Sequence, residues 1–322
     1  MGGGSGALVS RIAFLFPGQG SQAVGMGKSL AERFPEAREV FERADQVLGV
    51  PLSTLCFEGP LEELTRTENT QPALLVTSVA AARVLERRGV HASAGAGHSA
   101  GEFAAHVAAG SLSFEDGLTL IRKRGELMAS AGRERPGSMV AVLGLGATEI
   151  EKVLAAVGAP RDLAAANYNS PGQVVLSGTP QALERASEEA RKAGAKKIVP
   201  LNVSAAFHSP LMERAARGLA EALESVEIRP ARFPIYANVT GRPVQSPDEI
   251  RVTLEEQLLK PVLWEQTVRA LLEDGVRRFV EVGPGRVLRG LVKSVDRDVS
   301  LFGSEDPESA EATVRANQEV AA

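Results

Sequence analysis

Apolar and polar residues follow two patterns along the chain, one that predicts strands and one that predicts helices. Short apolar runs such as residues 11–16 end at glycine- or proline-containing turns, which is typical of buried strands that leave into tight loops. Longer segments such as residues 29–48 repeat apolar positions at helical spacing. Because strands and helices alternate along most of the chain, we expect a mainly parallel sheet with helices on both faces.

The middle of the chain has a pattern of its own. Strands are predicted at residues 139–145, 163–168, 173–177 and 196–201, and helices at residues 148–157 and 180–193. This β-α-β-β-α-β order predicts a ferredoxin-like subdomain at residues 135–204. It is inserted in a large discontinuous α/β domain formed by residues 8–134 and 205–303. The Gly/Ser-rich residues 1–7 and the polar residues 304–322 are expected to be flexible termini.

Charge and cysteine content narrow the function classes. The 322 residues carry a formal net charge of -4, which gives no basis for a nucleic-acid partner. Cys56 is the only cysteine, so an intramolecular disulfide and a cysteine-based zinc site are excluded. No uninterrupted apolar run approaches the length of a membrane span. We therefore expect a cytoplasmic protein that binds neither nucleic acid nor membrane.

A serine stands at the apex of a predicted strand, turn and helix. Gly97 and Gly101 flank Ser99 at the spacing of a nucleophile elbow, G-x-S-x-G. Glycine fits both positions because such a turn strains the backbone and leaves no room for a Cβ atom. The turn exposes the serine oxygen and aims the N–H groups of a helix N-terminus toward it. Ser99 is therefore the candidate nucleophile.

A serine hydroxyl needs a base to take its proton, and four histidines are available. His98 is next to Ser99 but lies on the turn, so its ring is expected to diverge from the hydroxyl. His106 lies two helical turns beyond, and His91 precedes the strand. His208 follows a strand, where sites of open α/β sheets concentrate, and is the best candidate. Because no acidic residue adjoins it, a Ser–His dyad oriented by a backbone carbonyl is an open alternative to a triad.

Three consecutive basic residues lie on the helix predicted at residues 114–130. The simplest interpretation of Arg122, Lys123 and Arg124 is that they lie on a solvent-exposed face of the helix. One of them can still turn inward, because neighbours on a helix point about 100° apart. A buried arginine opposite the serine would select an acyl group that carries a carboxylate, through a bidentate charged contact.

The loop after the first strand admits a nucleotide-binding interpretation. Residues 18–23 fit the dinucleotide fingerprint G-x-G-x-x-A, but residues 95–100 fit it as well. Residues 27–29 resemble the end of a P-loop, yet Gln22 stands where that loop needs its first glycine. A loop whose backbone N–H approaches a reacting oxygen explains the glycines better.

Six motifs in order carry a family resemblance across residues 12–302. They are Phe16-Pro17-Gly18-Gln19-Gly20-Ser21-Gln22, Gly97-His98-Ser99-Ala100-Gly101-Glu102, Arg122-Lys123-Arg124-Gly125, Asn167-Tyr168-Asn169-Ser170-Pro171-Gly172-Gln173, Ala206-Phe207-His208-Ser209 and Glu281-Val282-Gly283-Pro284-Gly285. Together they resemble the malonyl-CoA:acyl carrier protein transacylases of fatty acid synthesis and the acyltransferase domains of polyketide synthases.

The resemblance implies a hydrolase-like α/β core with a ferredoxin-like insert, and a ping-pong acyl transfer. Ser99, activated by His208, would take malonate from malonyl-CoA as an ester. The phosphopantetheine thiol of acyl carrier protein would then accept it. No bound cofactor or metal is implied, and a monomer is expected.

The resemblance also implies roles for residues of this chain that stand at the family's functional positions. The family's oxyanion hole matches the backbone N–H groups of Gln19 and Ala100. The arginine that clamps the malonyl carboxylate matches Arg124. The glutamine whose backbone carbonyl orients the histidine matches Gln257, four residues before Pro261.

The acyl pocket is matched by Phe207, His98 and Asn167. In the resemblance, phenylalanine before the base is typical of malonyl-selective members, and a smaller residue leaves space for a methylmalonyl group. Ala100 departs from the larger apolar residue that members often carry, which predicts a wider pocket.

Other functions stay open at this point. A serine esterase or thioesterase would use the same elbow with water as acceptor, and hydrolases rarely need a carboxylate clamp such as Arg124. A trans-acting polyketide synthase acyltransferase would use a broader range of acyl-CoA substrates. A non-catalytic carrier-docking module would not need both Ser99 and His208.

Overall fold

The computed structural model describes residues 11–321 and contains two sheets. Within these residues the strands are β1 (Ile12–Phe16), β2 (Ala94–Gly97), β3 (Ser138–Leu143), β4 (Leu163–Ser170), β5 (Gln173–Gly178), β6 (Lys197–Pro200), β7 (Ile235–Tyr236), β8 (Pro243–Val244), β9 (Arg278–Glu281) and β10 (Ser300–Gly303). The α-helices are α1 (Lys28–Arg33), α2 (Pro35–Leu48), α3 (Leu52–Glu58), α4 (Leu61–Thr65), α5 (Thr67–Arg87), α6 (Gly101–Ala109), α7 (Phe114–Glu134), α8 (Ala147–Val157), α9 (Pro180–Lys192), α10 (Glu213–Glu224), α11 (Pro247–Glu256), α12 (Trp264–Glu273), α13 (Val287–Val295) and α14 (Pro307–Ala321). A short 3₁₀ turn, Pro210–Met212, precedes α10.

The large sheet has the order β10-β9-β1-β2-β7-β8, and its first five strands run parallel. Within residues 11–321, β8 is the only strand of this sheet that pairs in the antiparallel sense, with β7. The predicted α/β fold with a mainly parallel sheet is therefore confirmed. The parallel arrangement also brings the loops after β1, β2 and β7 to one edge of the sheet.

Strand β1 lies at the centre of this sheet and is buried on both faces. Ile12, Phe14 and Phe16 pack into the larger core, which includes α5, whereas Ala13 and Leu15 face a second core that includes α12. Successive side chains of a strand point to opposite faces, so a strand covered on both sides must be apolar throughout. This explains why the first strand reads as a continuous apolar run.

The second sheet is antiparallel, with the order β4-β5-β3-β6 and a core shared with α8 and α9. This order confirms the predicted ferredoxin-like insert. The backbone of β4 joins the large body at Val262, where Tyr168 N donates to Val262 O at 2.9 Å and Val262 N donates to Ala166 O at 2.8 Å. The domain boundaries at residues 134 and 205 stay a prediction.

Two helical predictions differ from the structure near prolines. The helix expected at residues 29–48 is interrupted at Phe34, whose extended backbone is favoured by the following Pro35. The apolar pattern of residues 72–88 also predicts a helix that starts at Pro72, but the helix begins at Thr67 and contains that proline. Pro72 cannot donate to the carbonyl of Glu68, and Arg122 Nη1 donates to it instead at 3.0 Å.

The flexible tail expected at residues 304–322 is a wrong prediction for most of its length. Residues Pro307–Ala321 form α14, which packs against β10 and α5. Ala310 and Thr313 are buried there, and Thr313 Oγ1 donates to Gly303 O at 2.7 Å. Val314 also packs against the core, so a few apolar and small side chains attach this largely polar helix to it. The predicted leader at residues 1–7 lies outside the described residues.

No helix within residues 11–321 combines the length and the apolar character that crossing a membrane requires. The same residues contain no group of three or more His, Cys, Asp or Glu side chains placed to hold a metal ion.

Candidate active site

Ser99 stands at the tip of a sharp turn between β2 and α6. Its φ of 51° lies in the left-handed region. A Cβ atom on Gly97 would overlap the backbone of Gly101, and one on Gly101 would overlap the carbonyl oxygen of Phe16. Both glycines are therefore required by close backbone approach, as the elbow pattern predicts.

Asn238 holds this strained turn from the neighbouring strand. Its Oδ1 accepts the Ser99 N–H at 2.7 Å, and its Nδ2 donates to Gly97 O at 2.6 Å. Asn238 follows β7, which pairs with β2, so its side chain reaches both sides of the apex. We did not predict this residue, although a polar residue directly after a parallel strand is a usable signal.

His208 lies within hydrogen-bond distance of the serine, with 2.7 Å between its Nε2 and Ser99 Oγ. Its Nδ1 donates to the carbonyl oxygens of Gln257 at 2.8 Å and Lys260 at 3.2 Å. Because both partners can only accept, Nδ1 carries the hydrogen and Nε2 presents its lone pair to the hydroxyl. Burial, and next the charge of Arg124, lower the pKa of His208 to about 3, so the ring is neutral at pH 7.

Arg124 is the inward-facing member of the basic triplet on α7 and is fully buried. Its Nη1 donates to Gln71 Oε1 at 2.7 Å. Its Nη2 lies 3.0 Å from Ser99 Oγ and 2.9 Å from Gln257 Oε1. The Arg122 side chain instead pairs with Glu126 on the same helix and donates to Glu68 O on α5. The guanidinium and the imidazole thus approach the same hydroxyl.

The charge of Arg124 has no direct counter-ion among the residues that the structure describes. Burial lowers its pKa to about 9, and the negative charge of Glu102 opposes this shift, so the side chain is a cation at pH 7. Within residues 11–321 no carboxylate oxygen lies within 4.0 Å of its nitrogens, and its Nε has no hydrogen-bond partner. A buried cation with an unused donor beside the Ser99 hydroxyl is suited to an anionic group.

Glu102, one residue into α6, is also fully buried. Its Oε2 accepts from Gln257 Nε2, and its Oε1 accepts from Asn238 N at 3.3 Å. Burial raises the pKa of Glu102 to about 7, whereas these hydrogen bonds and the charge of Arg124 favour the carboxylate. The sequence places Glu102 in the elbow motif, but we predicted no role for it.

Gln19 and Ala100 lie beside the serine at the pocket. Among the described residues, neither Gln19 N nor Ala100 N donates a hydrogen bond, and both residues line the pocket at Ser99. Gly18 brings the first loop against the elbow, where a Cβ atom would overlap the carbonyl oxygen of His98. Ala100 is also the N-cap of α6, whose dipole favours negative charge at this point.

The pocket in front of Ser99 has a volume of about 420 Å³. Phe207, His98 and Asn167 line it, together with Met128. His98 Nε2 lies 2.9 Å from Asn169 Oδ1. A wider cavity of about 770 Å³ shares part of the lining and opens to solvent.

The structure brings every predicted site residue to one place. These are Ser99, His208, Gln19, Ala100, Arg124, Gln257, Phe207, His98 and Asn167. The roles that we predicted for them stay predictions. Gln71, Glu102 and Asn238 complete the hydrogen-bond network and were not singled out, and no sequence signal marks Gln71.

Comparison with known proteins places these residues in a wider context. The acyl transferase domain profile matches residues 13–317. Malonyl CoA-acyl carrier protein transacylase from Bacillus subtilis (strain 168) is 46% identical over 312 residues, or 97% of this chain and 98% of that protein. The crystal structure of the Clostridium perfringens protein of that name has a TM-score of 0.93 at 38% identity, covering 97% of this chain and 98% of that one. A malonyl-transacylase in complex with a type II PKS acyl-carrier protein has a TM-score of 0.92 at 42% identity, covering 95% and 100%.

Proposed function

Because this chain belongs to the acyl transferase family, we propose that it moves a malonyl group from malonyl-CoA to the phosphopantetheine thiol of an acyl carrier protein. The family makes the chain an acyltransferase. The names of relatives that align with nearly its whole length support the malonyl donor. A structural neighbour bound to an acyl-carrier protein supports the acceptor.

The first half-reaction forms an ester on Ser99. His208 Nε2 takes the hydroxyl proton while Oγ attacks the thioester carbonyl carbon. The resulting oxyanion is stabilised by the N–H groups of Gln19 and Ala100. The intermediate collapses with cleavage of the C–S bond, and the imidazolium gives its proton to the leaving CoA thiolate.

The second half-reaction reverses these roles. The carrier thiol gives its proton to His208, and its sulfur attacks the ester carbonyl. Ser99 Oγ leaves and recovers the proton from the ring. The carbonyls of Gln257 and Lys260 hold the Nδ1 hydrogen throughout and stabilise the transient imidazolium, so no acidic triad member is needed.

The observation that carries the proposal is the position of Arg124. Its Nη2 lies 3.0 Å from the nucleophile, so a carboxylate one carbon beyond an ester carbonyl comes within reach of the guanidinium. A serine hydrolase of uncharged esters has no use for a buried cation at this point. The arginine therefore favours the transferase over the esterase alternative.

The remaining expectations belong to the same proposal. The smaller pocket takes the acyl group, and the wider cavity takes the rest of the thioester. The phosphopantetheine of the carrier is the only prosthetic group involved, and we propose a cytoplasmic monomer. Relatives named for polyketide biosynthesis and malonyl transacylases both match, so we propose the transfer without assigning a pathway.

Intact-protein mass spectrometry tests the proposal. Mixing the protein with malonyl-CoA is expected to add one malonyl group, which a phosphopantetheinylated carrier protein then removes as malonyl-carrier. Ser99→Ala is expected to abolish the adduct. Release of free malonate at the same rate with and without carrier would instead establish a hydrolase, and an equally labelled Ser99→Ala protein would exclude Ser99 as the nucleophile.

A further inference from the structure

The side chain of Gln257 connects three parts of the site. Its backbone carbonyl accepts from His208 Nδ1, which needs no side chain. Its amide adds three more contacts. Oε1 accepts from Arg124 Nη2 at 2.9 Å, and Nε2 donates to Ser99 O at 3.2 Å. The same Nε2 donates to Glu102 Oε2. The orientation of this amide therefore decides what Arg124 meets.

Glu102 selects one of the two amide orientations. A carboxylate can only accept, so it requires the NH₂ group of Gln257 on its side. A rotated amide would place two acceptors together at Glu102 and two donors together at Arg124. Glu102 and Arg124 are both fully buried. In a buried environment, a polar pair without a matching donor and acceptor costs the most free energy. Glu102 thus keeps Gln257 Oε1 directed at the guanidinium.

Glu102 also places a negative charge near Arg124 without touching it. Its carboxylate makes no ion pair with Arg124 within 4.0 Å among residues 11–321, because the Gln257 amide lies between them. A carboxylate in direct contact would occupy the donors that a substrate needs. Separated by an amide, it compensates the buried cation and leaves the guanidinium free on the pocket side.

We propose that Glu102 is a positioning residue for carboxylate recognition, which acts on Arg124 through the Gln257 amide. The proposal rests on the proposed function, since it takes Arg124 as the clamp for the malonyl carboxylate. It predicts a defect confined to acyl groups that carry a carboxylate. A residue needed only for folding would affect malonyl and acetyl donors alike.

The test compares acylation of Ser99 by malonyl-CoA and acetyl-CoA at pH 8 in wild type and in Glu102→Gln. Rapid quenching and intact mass give the maximal rate and the half-saturating concentration for each donor. In E102Q, the half-saturating malonyl-CoA concentration is expected to rise about tenfold, as one weakened charged contact implies. The acetyl-CoA parameters and the maximal malonyl rate are expected to change by less than about threefold.

Glu281→Gln is the matched control. Glu281 is also fully buried and accepts from Leu288 N and Arg289 N at 3.0 Å, at the start of α13. Loss of the Glu281 charge is expected to lower the free energy of unfolding and to leave the preference for malonyl-CoA over acetyl-CoA unchanged. A folded E102Q protein with the wild-type preference, or with equal losses for both donors, would overturn the proposal.

Gln257→Met provides the second variant, because it removes the amide and keeps the backbone carbonyl that orients His208. It is expected to show the same malonyl-specific defect, and E102Q combined with it is expected to be no worse than Q257M alone. Additive losses, or an unchanged preference in Q257M, contradict action through the amide, and this variant decides the matter if E102Q does not fold. Failure of wild type to accept malonyl from malonyl-CoA refutes the proposed function itself, independently of Glu102.

Discussion

Ser99 and His208, whose hydroxyl and imidazole lie 2.7 Å apart, are the two non-glycine residues within residues 11–321 that have a positive φ. The angles are 51° and 53°, and the residues stand 109 positions apart in the chain. Left-handed backbone at such residues costs roughly 1 kcal/mol or more each, so surrounding contacts must hold it. The folded chain therefore holds both Ser99 and His208 in strained backbone conformations.

Asn238→Ala tests how the strain at Ser99 is held. The variant loses the acceptor for Ser99 N–H and the donor to Gly97 O. We expect unfolding free energy to fall by about 2 kcal/mol and Ser99 acylation to slow by at least about tenfold. Urea unfolding and acylation rates measure both. Asn317→Ala on α14 is the control, and equal acylation rates in the two variants would show that Asn238 does not position the nucleophile.

Gly101→Ala tests the close approach of the elbow to β1. A Cβ atom at this position overlaps the carbonyl oxygen of Phe16, so the strand and the helix must separate. We expect a loss of about 3 kcal/mol in unfolding free energy and no detectable acylation. Gly290→Ala, on α13 with nothing near the new Cβ atom, is expected to be neutral or stabilising by up to about 1 kcal/mol. Similar stabilities of the two variants would contradict the steric account.

Arg124→Ala tests the clamp. It removes the buried guanidinium that approaches Ser99 Oγ, so malonyl transfer is expected to fall at least about 100-fold, while acetyl-CoA gains relative activity. Arg122→Ala, two residues earlier on the same helix, is expected to stay within about twofold of wild type. Steady-state rates with both donors provide the measurement. Equal losses for malonyl and acetyl groups would assign Arg124 a structural role only.

Phe207→Ser tests what limits the acyl pocket. Phe207 lines the cavity in front of Ser99 and directly precedes His208, so a smaller side chain widens the space beside the ester. We expect the ratio of methylmalonyl to malonyl acylation to rise by about tenfold. Competition between the two thioesters, read by intact mass, gives the ratio directly. An unchanged ratio would place the selectivity in another lining residue, with Ala100 as the next candidate.

His106→Asn tests a buried histidine outside the mechanism. Ser111 Oγ donates to His106 O, so it accepts from Nδ1, and Nε2 has no partner within the described residues. Burial lowers the pKa of His106 to about 3, so below about pH 6.5 the unfolded chain takes up a proton that the folded protein refuses. Wild type is expected to lose about 1.4 kcal/mol from this residue between pH 7.5 and pH 5.5.

The asparagine side chain introduced by this substitution can keep the contact to Ser111, but its amide does not bind a proton between pH 7.5 and pH 5.5. The stability difference between the two pH values, from urea unfolding, is therefore expected to be smaller in His106→Asn than in wild type. An equal difference in both proteins would mean that His106 is protonated in the folded state.

Local pattern was sufficient for much of the fold. The apolar run of β1 and the βαββαβ order of the insert are set by periodicities of two and about 3.6 residues, which neighbouring residues carry. The elbow was predictable for the same reason, since its two glycines and its serine lie within five positions. The helix break at Phe34 is also a local feature, set by the following Pro35, but apolar periodicity alone does not register it. The packing of α14 depended instead on burial against distant elements.

The amino-acid sequence by itself determined which residues could do chemistry at this site: a serine on a tight turn, a histidine after a strand and three adjacent bases. The family resemblance pointed to Arg124 and to the backbone carbonyl of Gln257. Only the tertiary structure showed that Arg124 turns inward, that this carbonyl accepts from His208 Nδ1, and that Glu102 and Asn238 join the same hydrogen-bond network. The physical reason is that these contacts join residues up to 158 positions apart, and neither a backbone carbonyl nor the orientation of an amide leaves a mark in local sequence.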